Sequence, residues 1–170
     1  MVAWLKEWAL FISAGVTLLL AIAAFWAIWQ NHLIQKRERK ERLLNEIIEW
    51  AVDILSCGHE TEISSVWTGF IMKPQPQEKM RDILISLLQD KFRILEARGS
   101  YIWRIVLQFG ADFQQIVLET TLNVSYHLRI LQLDSKGKLK HLEAIGRHRQ
   151  KVDSNARDVI RYGTNILKNL

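Results

Sequence analysis

Five histidines, one cysteine and the fifteen carboxylates that follow Leu43 are the raw material for a reactive site in this chain. His141 and His148 stand seven residues apart and share one face of a helix, but two turns separate them too far to chelate one metal ion alone. The pair reads as a solvated helix face. Cys57-Gly58-His59-Glu60 gathers three ligand types at a turn. Zinc sites want a second ligand pair elsewhere, and no other cysteine exists to supply one. A di-iron helical protein would need Glu-x-x-His on two helices, and that tetrapeptide does not occur.

Nucleophilic chemistry fares no better. Ser125 and His127 are near neighbours in sequence but point in different directions from a helix. No Gly-x-Ser-x-Gly is present, and Gly137-Lys138 lacks both the upstream glycine and the downstream hydroxyl of a phosphate loop. The Arg-x(4–6)-His pattern of helical ribonucleases is missing; Lys136 with His141 is the nearest match and carries the wrong base. Catalytic residues, metal ligands and cofactor contacts are therefore all expected to be absent. Asn123-Val124-Ser125 matches a glycosylation acceptor, yet it falls in a part of the chain expected to face the cytosol. The single cysteine suits a reducing compartment and permits no disulfide within the chain. Arg149 is the odd residue, since it occupies a helix position whose stripe is otherwise apolar. Its stem is expected to pack on the core edge while the guanidinium reaches water. The alternative is an ion pair with Asp112 or Glu119.

The elements that position these residues are helical. Leu43, Leu44, Ile47, Ile48, Ala51, Ile54 and Leu55 follow the i, i+3, i+4, i+7 spacing of a one-sided stripe, which Cys57-Gly58 closes. Ile63, Val66, Trp67, Phe70 and Ile71 predict a short helix that stops at Lys73-Pro74-Gln75-Pro76. A third helix runs from Gln77 to Arg98-Gly99. Ser100 caps a fourth, whose stripe passes through Ile102, Ile105, Phe109, Ile116 and Val124 to Leu131, with a bend at Gly110. Asp134-Ser135-Lys136-Gly137 makes the last turn. The final helix repeats at threes and fours through Leu142, Ile145, Arg149, Val152, Ala156, Val159, Gly163 and Ile166. No stretch alternates with the period of two that a strand needs. About five helices with short connections predict an all-α fold, an antiparallel bundle forming one domain over residues 43–170.

Ahead of that domain lies the strongest signal in the chain. Ala9 to Trp29 is a run of 21 residues without a charge. At 1.5 Å per residue it covers about 31 Å, the hydrocarbon thickness of a bilayer. Trp4 and Trp8 stand at one end, Trp26 and Trp29 at the other, as indoles do at the two membrane interfaces. A soluble core helix would have no reason to place tryptophans at both ends. A cleavable signal peptide would need a positive start, a shorter core and a small residue pair at its end. Here Lys6 is cancelled by Glu7 and the run closes on Phe25-Trp26-Ala27-Ile28-Trp29. Residues 1–30 are read as a retained transmembrane anchor.

Residues 31–42 form a basic juxtamembrane helix. Lys36, Arg37, Arg39, Lys40 and Arg42 follow the span, against the lone Lys6 before it. Basic residues hold their side of a span in the cytosol, so the N-terminus is expected outside the cell membrane and the C-terminal domain inside. The same five residues suit anionic lipid headgroups. Mixed signs favour helix, with Lys36, Lys40 and Glu41 along a solvated face. From Leu43 onward 17 basic and 15 acidic residues nearly balance, so no basic face is available for nucleic acid and none is expected as a partner.

On a helical projection Ala9, Ser13, Thr17, Ala21 and Ala24 fall on one side of the span, opposite Phe11, Leu18, Leu19, Ile22 and Phe25. Small residues let backbones approach, and in lipid that approach drives helix association. One span per chain makes a homo-oligomer the economical expectation. The chain is thus read as a non-enzymatic single-pass membrane protein. Its cytosolic bundle would bind copies of itself or another protein at the bilayer. Two alternatives stand beside this. One is a homo-oligomeric pore lined by the small face, with Ser13 and Thr17 toward the lumen. The other is a membrane-surface enzyme built from scattered residues.

Overall fold

The computed structural model describes residues 2–59, 77–135 and 142–170. They form four helices and, among the described residues, no strand. The helices are α1 (Val2–His59), α2 (Gln77–Val106), α3 (Ala111–Ser135) and α4 (Leu142–Lys168). The predicted helix over 63–71 and the Pro74–Pro76 loop lie outside the described residues, as do Lys136, Gly137 and His141. The chain divides into two units, Met1–Arg42 and Leu43–Leu170.

The first unit is the N-terminal part of α1. No proline interrupts it, and its apolar residues need no partner segment to satisfy the backbone, since a helix bonds every amide internally. Thr17 Oγ1 donates to the Ser13 carbonyl oxygen at 2.8 Å, so the hydroxyl is spent within the helix. Arg37 Nε donates to Glu41 Oε1 at 3.0 Å, the i,i+4 pair that the mixed charges realise here. Among the described residues α1 is the one helix long and apolar enough to cross a membrane. Its best 18-residue window has a mean hydropathy of 2.3, and none of that window is buried.

The second unit has a core of its own. Leu44, Ile47, Trp50, Ala51, Ile54 and Cys57 bury the stripe of α1 against Phe92, Leu95, Ile102, Ile105 and Val106 of α2. Phe113, Val117, Val124, Leu128 and Leu131 come from α3, and Val152, Ala156 and Val159 from α4. The period near 3.6 that marks each stripe in the sequence is the period of burial. Trp50 Nε1 donates to the Leu95 carbonyl oxygen at 3.0 Å, which gives the largest buried side chain a polar partner. Gln89 Nε2 donates to the Leu131 carbonyl oxygen at 2.9 Å and links α2 to α3.

Two boundaries differ from the sequence reading. Gly58 lies inside α1, which is helical through His59. Gly99 and Ser100 do not separate two helices: α2 passes straight through them to Val106. Gly99 serves close approach instead. A Cβ there would sit 3.2 Å from both Thr121 Cγ2 and Trp50 Cζ2, so α1, α2 and α3 meet over a residue without a side chain. Ser100 Oγ bonds back to the Glu96 carbonyl oxygen at 3.4 Å rather than capping a new start. The break falls at Leu107–Gly110. There the Gln114 side-chain amide donates to the Phe109 carbonyl oxygen at 2.7 Å and tethers the connecting turn to α3.

Candidate functional site

The residues with chemistry to offer collect at one place in the second unit. His127 on α3 is 3% exposed, and its ring lies against Phe92 of α2 at 4.7 Å between centroids. His148 of α4 also stacks on it, at 5.6 Å and 12°. Tyr126 covers His148 in turn at 4.7 Å. Next to this ladder the Arg149 guanidinium sits 5.1 Å over the Phe92 ring. It donates to the Ile54 carbonyl oxygen on α1 at 2.6 Å and pairs with Asp153 at 2.8 Å, one turn along its own helix.

Arg149 therefore does not reach into water. Its side chain is 14% exposed, and the acid it meets is Asp153. Asp112 instead accepts from the Tyr162 hydroxyl at 3.3 Å, and Glu119 accepts from the Gln115 amide at 3.2 Å. The i,i+4 spacing of Arg149 and Asp153 was the legible signal for this pair. His148 meets His127 across the α3–α4 seam. Its expected partner by helical spacing, His141, lies outside the described residues. No spacing rule links His127 to His148, because their contact depends on how two helices register.

Burial favours the neutral forms of the two imidazoles and of the Cys57 thiol. Burial pushes the His127 imidazole down to about 3, helped by the Arg149 cation and by His148. His148 is lowered as well, by burial and then by Lys151. Burial raises the Cys57 thiol above its usual range; Lys91 and Arg149 pull against that and Asp53 adds to it. A thiol held protonated is a poor nucleophile and a poor metal ligand. Nδ1 of His127 and of His148, Nε and Nη1 of Arg149, and Oδ1 of Asp153 are buried without a hydrogen-bond partner, so Arg149 and Asp153 meet as an ion pair rather than through a hydrogen bond. Ser125 is half-buried, and among the described residues no carboxylate is hydrogen-bonded to Nδ1 of His127 as the base of a triad would need. Among the described residues no three His, Cys, Asp or Glu side chains converge as a metal site would require. Glu60 of the Cys57–Glu60 turn lies outside the described residues.

The predicted membrane-facing residues lie along the first unit. Trp8, Trp26 and Trp29 are exposed, as are Ser13, Thr17, Ala21 and Ala24. Trp4 and Ala9 fall within the helix. Lys36, Arg37, Arg39 and Arg42 are exposed and Lys40 half-buried, all on the same continuous helix. On the second unit Leu118, Leu122, Tyr126 and Leu133 leave apolar surface open on one side of α3. No family model matches the chain, and neither a curated protein nor a solved structure matches it.

Proposed function

We propose that this chain is a single-pass membrane protein that works by binding rather than by catalysis. Residues 1–30 anchor it, with the N-terminus outside the cell. The cytosolic part, an antiparallel helical bundle over residues 43–170, meets copies of itself or another protein at the bilayer. One observation carries this reading. Along α1 the apolar window is wholly uncovered, whereas Leu44 to Cys57 on the same helix is packed into a core. A soluble monomer rarely leaves a contiguous apolar patch of more than a few hundred Å² in water. Each Leu, Ile, Phe or Val near the middle of a span favours insertion by about 0.3–0.6 kcal/mol. Helical continuity past Trp29 supports retention of the span over its removal as a leader.

Orientation rests on the five basic residues that follow the span, and the bundle on the contacts that tie α1 to α2 and α4, and α2 to α3. Self-association rests on the small side of the span and on the apolar strip of α3. The test is fractionation of membranes carrying the intact chain. It should stay with the bilayer through alkaline carbonate, enter detergent, and give dimers or larger species on crosslinking in dilute micelles. Impermeant labels should reach a cysteine placed at residue 2 from outside and one placed at residue 170 only after permeabilisation. Release by carbonate, or labelling of residue 170 from outside, overturns the reading. Reconstituted protein that passes dye between compartments would point to the pore instead.

A further inference from the structure

We infer that the His127–His148 stack is an acid-sensitive latch, whose protonation frees the N-terminal half of α4 from α3 while the remainder of the second unit stays packed. The two ends of α4 are held in different ways. Toward its C-terminal end the contacts are indifferent to protons near neutrality. Gly163 lets Leu44 and Ile48 of α1 approach within van der Waals distance, and the Tyr162 ring stacks on Phe113 of α3 at 5.9 Å and 10°. Toward its N-terminal end the contact is two imidazoles face to face and a guanidinium.

A proton on either ring creates a charge where nothing is placed to receive it. The ionisable groups around the seam are Asp53 and Cys57 on α1, Lys91 on α2 and Tyr126 on α3, with Arg149, Lys151 and Asp153 on α4. Arg149 and Lys151 repel an imidazolium. Asp153 lies in an ion pair with Arg149, although its Oδ1 accepts no hydrogen bond, and Asp53 is engaged by Arg98. Parallel stacking, favourable between neutral rings, becomes repulsive between two cations. Nδ1 of each ring is buried with no acceptor, so a proton added there would be buried and unpaired. Separation of the helices lets both rings charge in water.

The size of the effect follows from linkage. A ring that titrates near 3 when stacked and near the free value when released gains a proton only in the open form. Between pH 7.5 and pH 5.0 one such ring raises the open population about thirty-fold, and His148 adds to this. The test is amide hydrogen exchange of the full chain in detergent micelles at the two pH values, corrected for intrinsic rates. Residues 146–153 should lose protection by at least about thirty-fold at pH 5.0 and there exchange well ahead of residues 44–54 and 156–166, which open only when the whole unit unfolds. His148→Phe, which retains a ring for the stack, should reduce the step, and His127→Phe should remove most of it. Equal protection of residues 146–153 at both pH values overturns the latch, as does protection of those residues at pH 5.0 as high as that of residues 44–54. Should a variant fail to fold, the comparison between the two pH values in the unaltered chain decides alone.

Discussion

Arg149 on α4 donates to the main-chain carbonyl oxygen of Ile54 on α1, so a guanidinium ties α4 to α1 in addition to their apolar contact at Gly163. That carbonyl belongs to a helix whose own amides also need it. The bond therefore adds a second donor to an acceptor with two lone pairs. The same guanidinium faces Phe92 and pairs with Asp153. One side chain thus touches three elements.

Arg149→Leu removes all three contacts and leaves the half-buried Asp153 without its cation. Breaking a wholly buried pair costs about 3–5 kcal/mol, and the partial exposure of Asp153 reduces this to about 2 kcal/mol. Thermal unfolding in detergent should shift down by several degrees, about 5 °C for a unit of this size. Arg149→Leu combined with Asp153→Leu should recover part of the loss, because the orphaned carboxylate is then gone. A single variant that melts higher than the original chain would show the guanidinium to be dispensable.

Glycines separate on a simple geometric ground. Gly146 has open space where a Cβ would go, so Gly146→Ala should stabilise the second unit by up to about 1 kcal/mol through helix propensity. At Gly163 the new Cβ would lie 2.9 Å from Ile48 Cγ1, an atom near the stem of its side chain and fixed by the core. Gly163→Ala should cost about 1 kcal/mol despite the same gain in propensity. Chemical denaturation of the two variants should move in opposite directions; movement in the same direction would mean that the α1–α4 contact is looser than the structure shows.

The core stripes were legible in the sequence because a helix buries what lies on one side, and spacing alone reveals that side. Val152, Ala156 and Val159 were readable in this way, and so were Leu44, Ile47 and Ile54. The end of α2 was not. Arg98-Gly99-Ser100 carries every local mark of a stop and a start, and tertiary packing overrides them, since Trp50 and Thr121 require the missing side chain of Gly99. The His127–His148 contact was equally hidden. It joins residues from two helices, and periodicity within each helix says nothing about which turn of one meets which turn of the other. Arg149 stands out in the sequence as the polar residue of an apolar stripe, yet its surroundings depend on Phe92 and Ile54, which no pattern on α4 encodes.

Cys57 provides a probe of whether the C-terminal part of α1 stays packed. The thiol is buried and burial raises its titration above the usual range, so at neutral pH almost none is thiolate. Maleimide or a disulfide reagent should react far more slowly with the folded chain than with the chain in denaturant, by at least about a hundredfold if reaction requires opening. Ile54→Ala, which opens a cavity one turn away, should accelerate labelling. Rapid reaction of the unaltered chain at pH 7 would mean that Leu44 to Cys57 is not held in a core.

Stability of the second unit should depend on pH through His127, and the sign is fixed by burial. In the fold the ring titrates near 3, below its value in the unfolded chain, so between those two values only the unfolded chain takes up the proton. The stability associated with the neutral ring is complete above the unfolded value. It declines as pH falls, by about 1.4 kcal/mol per pH unit for one histidine, and levels off once the folded ring titrates too. His148 is shifted in the same direction and should add to the fall. Urea midpoints measured from pH 7.5 down to pH 5.0 should therefore fall steadily. His127→Phe should flatten the curve in the same range. A slope unchanged by that substitution would place the responsible protons elsewhere.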